Sequence, residues 1–238
     1  MKIIEVIYPE FQNVYADLYQ MEFLKKCNKE IKVIYTPYKS EPYFMNNKVD
    51  MIFMGSMPDS KIIPSIEELK KYKNKIKELV ESNVLFLITG NALEIFSTYI
   101  IENKKKYEGL GIFDYTIKKD MNNKYVSWYI GNYNNIEIIG HKNHYSICEN
   151  IKDGFIDTKD GYSSDIKNPN EGIHYKNFYA TYLLGPFLIM NPMFTKELLV
   201  KLGLDNKLIY ENDLISAYKE RINHFKKPGT RFIMRDHG

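Results

Sequence analysis

The chain is poor in the residues that staple or anchor a protein. Its 238 residues include two cysteines, Cys27 and Cys148, far apart in sequence, and a single tryptophan. So few cysteines exclude a disulfide scaffold and point to a reducing compartment. Long hydrophobic runs are also missing. The longest, such as Val84 to Ile88, have strand length and fall well short of the ~18 apolar residues of a membrane span. In the opening MKIIEVIYPEF, Pro9 and Glu10 interrupt what would be the apolar stretch of a signal peptide. Charge of one sign is not in excess either: 33 basic against 30 acidic residues give +3. The pI near 8.5 is milder than the value above about 9, with clustered charge, of a nucleic-acid binder. P-loop, dinucleotide and zinc motifs are absent. The expectation is a soluble, cytoplasmic protein with no membrane span, no nucleic-acid partner and no metal.

What is present is an ordinary globular composition, 44% hydrophobic and 26% charged, which excludes a disordered, collagenous or coiled-coil chain. The length supports a core without staples. Twenty tyrosines beside many Asn, Lys and Ile read as the codon bias of an AT-rich genome and say little about function.

Four short apolar runs mark the first half: Ile3 to Tyr8, Ile31 to Tyr35, Met51 to Met54 and Val84 to Ile88. They do not alternate with polar residues, as expected of strands buried on both faces of a parallel sheet. Helical spacing separates them, over Val14 to Cys27 and over Ser65 to Val80, where Ser65 and Glu68 fit a capping box. This alternation predicts a doubly wound, mostly parallel α/β sheet. After about Lys106 the pattern changes to appended antiparallel strands, Lys124 to Ile130 and Ile136 to Gly140, with Gly131-Asn132 and Asn134-Asn135 as turns. Asp157 to Glu171 reads as a loop and Phe178 to Leu184 as a strand. Phe194 to Gly203 and Glu211 to Phe225 read as helices. With no repeat or linker, residues 1–238 are expected to form one domain, 225–238 being a tail.

Ligands of an open α/β sheet sit at the carboxyl ends of its strands. Two such ends stand out, Met54-Gly55-Ser56-Met57 and Ile88-Thr89-Gly90-Asn91. The second precedes a helical stretch, Ala92 to Ile101, which is the geometry of a nucleophile elbow. The first could offer backbone N–H groups to an oxyanion.

Glu171-Gly-Ile-His-Tyr-Lys-Asn177, then Thr181-Tyr-Leu-Leu184-Gly-Pro186, and Glu108-Gly-Leu-Gly-Ile-Phe-Asp114 carry a resemblance. Asp50 to Gly55, Asp59 and Gly140-His-Lys-Asn-His144 support it. The chain resembles the class I glutamine amidotransferases of the cobyric-acid-synthase type, nearest to glutaminase subunits of lipid II isoglutaminyl synthase, over roughly Ile3 to Leu199. The resemblance implies a cytoplasmic glutaminase of cell-wall precursor amidation. It would need no cofactor and would pair with a Mur-ligase-like subunit. Its small-molecule ligand would be glutamine or a cell-wall precursor. It further implies a pocket at Gly55, Ser56, Gly90, Asn91 and Lys124, the last where the family has a substrate-site Arg.

The departures bear on activity. By this resemblance Thr89 stands where the family has its nucleophilic Cys, and Leu184 where it has its catalytic His. Glutamine hydrolysis by this route needs a thiolate and an imidazole, and losing either triad member costs orders of magnitude in rate. Thr89 is also β-branched, and a strained φ at an elbow would be costly for it, so the turn there is expected to be relaxed. Three readings follow: a non-hydrolysing binding or partner subunit, an active amidotransferase subunit, or a different enzyme reusing the pocket. Cys27 reads as a small buried hydrophobe on an amphipathic helix. His141, His144 and Cys148 lack a further ligand at metal spacing, and Asn143-His144 reads as part of a turn. The Lys70 to Lys77 run reads as a solvated helix face.

Overall fold

A computed structural model of the chain describes residues 1–165, 167–227, 229 and 232–237. The apolar runs become strands: β1 (Lys2–Ile7), α1 (Tyr19–Cys27), β2 (Ile31–Thr36), β3 (Met51–Met54), α2 (Ile62–Leu69), α3 (Lys73–Glu81) and β4 (Leu85–Thr89) follow in order. Side chains alternate across a strand, and here both faces are covered. Met51 and Phe53 of β3, with Leu85 and Leu87 of β4, enter one core. Ile52 and Met54, with Phe86 and Ile88, enter the other. That is why these runs are apolar throughout.

The second half adds β5 (Tyr99–Glu102), β6 (Lys105–Glu108), β7 (Thr116–Lys119), β8 (Asn123–Tyr133), β9 (Ile136–His144), β10 (Ser146–Glu149), β11 (Ile156–Asp160), β12 (Asn170–Glu171), β13 (Ile173–Tyr175) and β14 (Phe178–Thr181). The helices α4 (Phe187–Met190), α5 (Pro192–Lys201) and α6 (Glu211–Phe225) and the strand β15 (Ile233–His237) close the chain. The main sheet has the order β13-β14-β4-β3-β1-β2. It is parallel except where β13 meets β14. A second sheet runs β10-β7-β5-β6, and a third β12-β11-β8-β15 with β9 also on β8. The fold is therefore α/β, with a mostly parallel sheet and antiparallel additions.

Several local expectations are corrected. Ser65 caps nothing: α2 begins at Ile62, and Ser65 lies buried inside it, its hydroxyl 3.6 Å from Met57 Sδ. The stretch after Thr89 is a 3-10 helix over Gly90–Phe96, followed by β5 instead of more helix. Gly131-Asn132 is not a turn but lies within β8. A Cβ on Gly131 would stand 2.6 Å from Ile156 Cγ2, so glycine there serves the close approach of β11. The loop expected over 157–171 contains β11 and β12, and the expected tail contains β15 on the edge of β8. Among the described residues no helix is long and apolar enough to cross a membrane.

Candidate functional site

The carboxyl ends of β3 and β4 meet at a buried carboxylate. Asp17 sits on the loop leading into α1 and is wholly buried. Its Oδ1 accepts from Thr89 Oγ1 at 3.0 Å and from Gln20 Nε2 at 2.7 Å, and its Oδ2 accepts from Ser56 N at 2.7 Å. Burial pushes its pKa up to about 6, against those hydrogen bonds. The chain before it is strained, since Tyr15 (φ 55°) and Ala16 (φ 58°) are both left-handed without being glycine. The backbone crowds this carboxylate. A Cβ on Gly55 would lie 2.7 Å from Asp17 Cβ, and one on Gly185 2.6 Å from the Tyr15 carbonyl oxygen.

The turn after β3 has its N–H groups occupied. Gly55 N donates to Gln12 Oε1 (2.8 Å), Ser56 N to Asp17, and Met57 N to Asn91 Oδ1 (3.0 Å). Asn91 closes a two-way clamp by donating Nδ2 to the Met57 carbonyl at 2.8 Å. Three N–H groups that could face a developing oxyanion are thus bonded to side chains of the protein itself.

The turn after β4 divides its roles between two residues. Thr89 is extended (φ −118°, ψ 154°) and fully buried, its hydroxyl on Asp17. The positive φ belongs to Gly90 (60°), whose amide donates to the Leu183 carbonyl at 3.2 Å. A Cβ on Gly90 would overlap Ser56 Oγ and stand 2.8 Å from Ser56 Cβ. The Ser56 hydroxyl thus fills the space that a side chain on Gly90 would enter.

A cavity of about 190 Å³ opens beside these turns, lined by residues that include Ser56, Met57, Asn91, Lys124, His144 and Leu184. Of the residues singled out from sequence, Ser56, Asn91, Lys124 and Leu184 come together here. Gly55, Thr89 and Gly90 are not among its lining residues. Lys124 holds its ammonium 5.7 Å from the Tyr145 ring centre. Asn143 Nδ2 donates to Tyr15 OH at 2.9 Å, tying the strained segment to β9.

Around the cavity lie buried charges to which the sequence reading had given no role, with Asp59 among the lining residues. Buried Lys119 bonds Asp59 at 2.7 Å and Glu94 at 2.8 Å. Burial pulls its pKa down, but the two carboxylates outweigh this and hold the ammonium above its usual range. Burial raises Glu94, against the attraction of Lys119. Tyr182 OH donates to Glu94 Oε1 at 3.2 Å. Deeper still, Lys142 and Glu171 form an ion pair with both side chains fully buried. Glu171 also accepts from Ser164 Oγ, from Thr181 Oγ1 (2.7 Å) and from Tyr182 N (2.7 Å).

Neither cysteine offers a thiolate here. Burial raises the pKa of both, that of Cys148 strongly, and neither lines the cavity. Among the described residues no group of three or more His, Cys, Asp or Glu could hold a metal ion.

The comparisons with known proteins agree with this architecture. The chain is 29% identical over 192 residues to the GatD subunit of the glutamine-hydrolyzing lipid II isoglutaminyl synthase of Staphylococcus aureus strain N315, covering 79% of each chain. It is 24% identical over 224 residues to the subunit of the same name from Streptococcus pneumoniae strain R6, covering 88% of this chain and 85% of that one. A glutamine amidotransferase crystal structure from Thermotoga maritima shares the fold, with a TM-score of 0.54 at 14% identity, covering 93% of this chain and 97% of that one. The profile of the CobB/CobQ-like glutamine amidotransferase domain matches residues 2–192, and the chain belongs to that family.

Proposed function

We propose that this protein is a glutaminase-type subunit that has given up glutamine hydrolysis. It acts as a binding or partner subunit beside a Mur-ligase-like protein in the amidation of cell-wall precursors, in the cytoplasm. The observation that carries the reading is the state of the two turns. The N–H groups of Gly55, Ser56 and Met57 are bonded to Gln12, Asp17 and Asn91, and the position with the elbow's positive φ is Gly90. A tetrahedral intermediate would find no nucleophile on the elbow and no free donors on the turn. Leu184, which the resemblance puts at the family's imidazole position, lines the cavity, and in this reading a general base is missing there too. In this reading the elbow position is Gly90, one residue after Thr89. The test is ammonia release from glutamine, by the protein alone and with a purified Mur-ligase-like partner. Release above the protein-free background, abolished by no other change than removal of this chain, sinks the proposal.

A further inference from the structure

One stretch of chain beside the cavity is pinned at both ends and strained in between. Gln12 and Asp17 are wholly buried. Gln12 bonds the Ile7 carbonyl and the Gly55 amide, and Asp17 bonds Ser56 N, Thr89 and Gln20. Of the four residues between them, Asn13, Tyr15 and Ala16 are exposed and Val14 is partly buried. Tyr15 and Ala16 are both left-handed, at φ 55° and 58°, a conformation that costs free energy for any residue with a Cβ. Two adjacent residues of this kind persist only where their surroundings hold them.

The hold is at the cavity. Val14 and Tyr15 line it from this stretch, and Asn143 lines it from β9. Asn143 Nδ2 donates to Tyr15 OH at 2.9 Å, in a bond open to solvent. Among the described residues it is the one hydrogen bond that joins residues 13–16 to β9. Two backbone bonds complete the shape, from Asp17 N to the Val14 carbonyl at 3.3 Å and from Tyr19 N to the Ala16 carbonyl at 3.1 Å. A hydrogen bond that water can replace is worth little net, and here it works against strain at two residues. Two arrangements are therefore close in free energy: one bonded to β9, the other with Tyr15 and Ala16 returned to negative φ. The buried ends confine the change to the four residues between them.

We propose that residues 13–16 are a strap that gates the cavity, with the Tyr15–Asn143 hydrogen bond as its latch. Latched, Val14 and Tyr15 narrow the entrance. Released, they swing away from β9 and open the way to Leu184. This rests on the reading of the cavity as a binding place, and it adds the control of access to it.

Leu184 lines the cavity and is almost wholly buried, so a thiol at that position reports entry. The test protein is Cys27→Ser/Leu184→Cys, with Cys148 left in place because burial holds its thiol protonated. Its labelling rate with 4,4′-dithiodipyridine, a neutral aromatic disulfide, measures opening. Tyr15→Phe keeps the ring and cuts the latch, and labelling at position 184 becomes about three- to tenfold faster, as expected for one hydrogen bond. Asn143→Leu gives the same gain, and the two together give no more, because they break the same bond. A second readout needs no introduced thiol. In Tyr15→Phe the amide hydrogens of Asp17 and Tyr19, which bond the strap's carbonyls, exchange faster by a similar factor, while those of β3 and β4 keep their rates. Unchanged labelling, unchanged exchange at Asp17 and Tyr19, or gains that add in the double variant overturn the inference. So does faster exchange throughout the main sheet, which would mean general loosening. Ammonia released from glutamine would instead overturn the loss of hydrolysis and leave the strap standing.

Discussion

Thr89 donates its hydroxyl to Asp17 across 3.0 Å, and both side chains are wholly buried. With Ser56 N and Gln20 Nε2 on the same carboxyl, Asp17 ties the ends of β3 and β4 to the start of α1. The side chain that sequence resemblance placed at the nucleophile position is therefore part of a structural tie.

That tie has a pH dependence. Asp17 keeps its proton to about pH 6 in the folded protein, against an ordinary value of 3.8 in the unfolded chain. The folded state thus binds more protons between these values, and its stability falls as pH rises from about 4 through 6. The contribution lost by neutral pH is about 3 kcal/mol. Denaturant midpoints across this window should decline with pH in the unaltered protein and flatten in Asp17→Asn. An unchanged slope in the variant would assign the dependence to other groups.

Activity should return through Gly90 and not through Thr89. Gly90→Cys with Leu184→His and Ser56→Gly removes the clash with the Ser56 side chain and leaves a 3.1 Å approach to the backbone of residue 56, so any ammonia release from glutamine should be confined to this triple variant. Thr89→Cys with Leu184→His should release none, because residue 89 faces Asp17. Intact triads are worth on the order of 10⁴–10⁶ in rate, so even slight assembly is measurable. Activity in the Thr89 pair alone would place the elbow at Thr89.

The Lys142–Glu171 pair is fully buried. Lys142→Met or Glu171→Gln leaves one member without its partner and should cost about 3–5 kcal/mol, lowering Tm on the order of 10 °C. The double variant Lys142→Met/Glu171→Gln should recover part of this. Single variants within about 1 kcal/mol of the parent would contradict the assignment.

Lys119 sits between Asp59 and Glu94. In Lys119→Met the buried Glu94 carboxyl loses its cation and holds its proton to higher pH. The variant should therefore be most destabilised above the ordinary carboxyl range and less so in acid. Adding Glu94→Gln should remove that pH dependence; if it persists, Glu94 is not its source.

The central strands were legible because burial on both faces leaves only apolar residues, as in Met51–Met54 and Leu85–Ile88. The cavity was legible in outline from the strand ends, and Ser56, Asn91, Lys124 and Leu184 do line it together. Its polar scaffold was not. Asp17, Lys119, Lys142 and Glu171 look in sequence like any solvated charge, and only three-dimensional pairing buries them. Glycine misled in one place: Gly131 answers a close approach between strands, while Gly-Asn in sequence suggests a turn. His144 reads as part of a turn until the ring is seen stacked on Tyr182 with one nitrogen unpartnered.

The overlap between Ser56 and a side chain on Gly90 makes positions 56 and 90 interdependent. Any side chain placed at position 90 in the present chain collides with the Ser56 side chain. The two turns therefore behave as an interlock, in which neither can be rebuilt without the other.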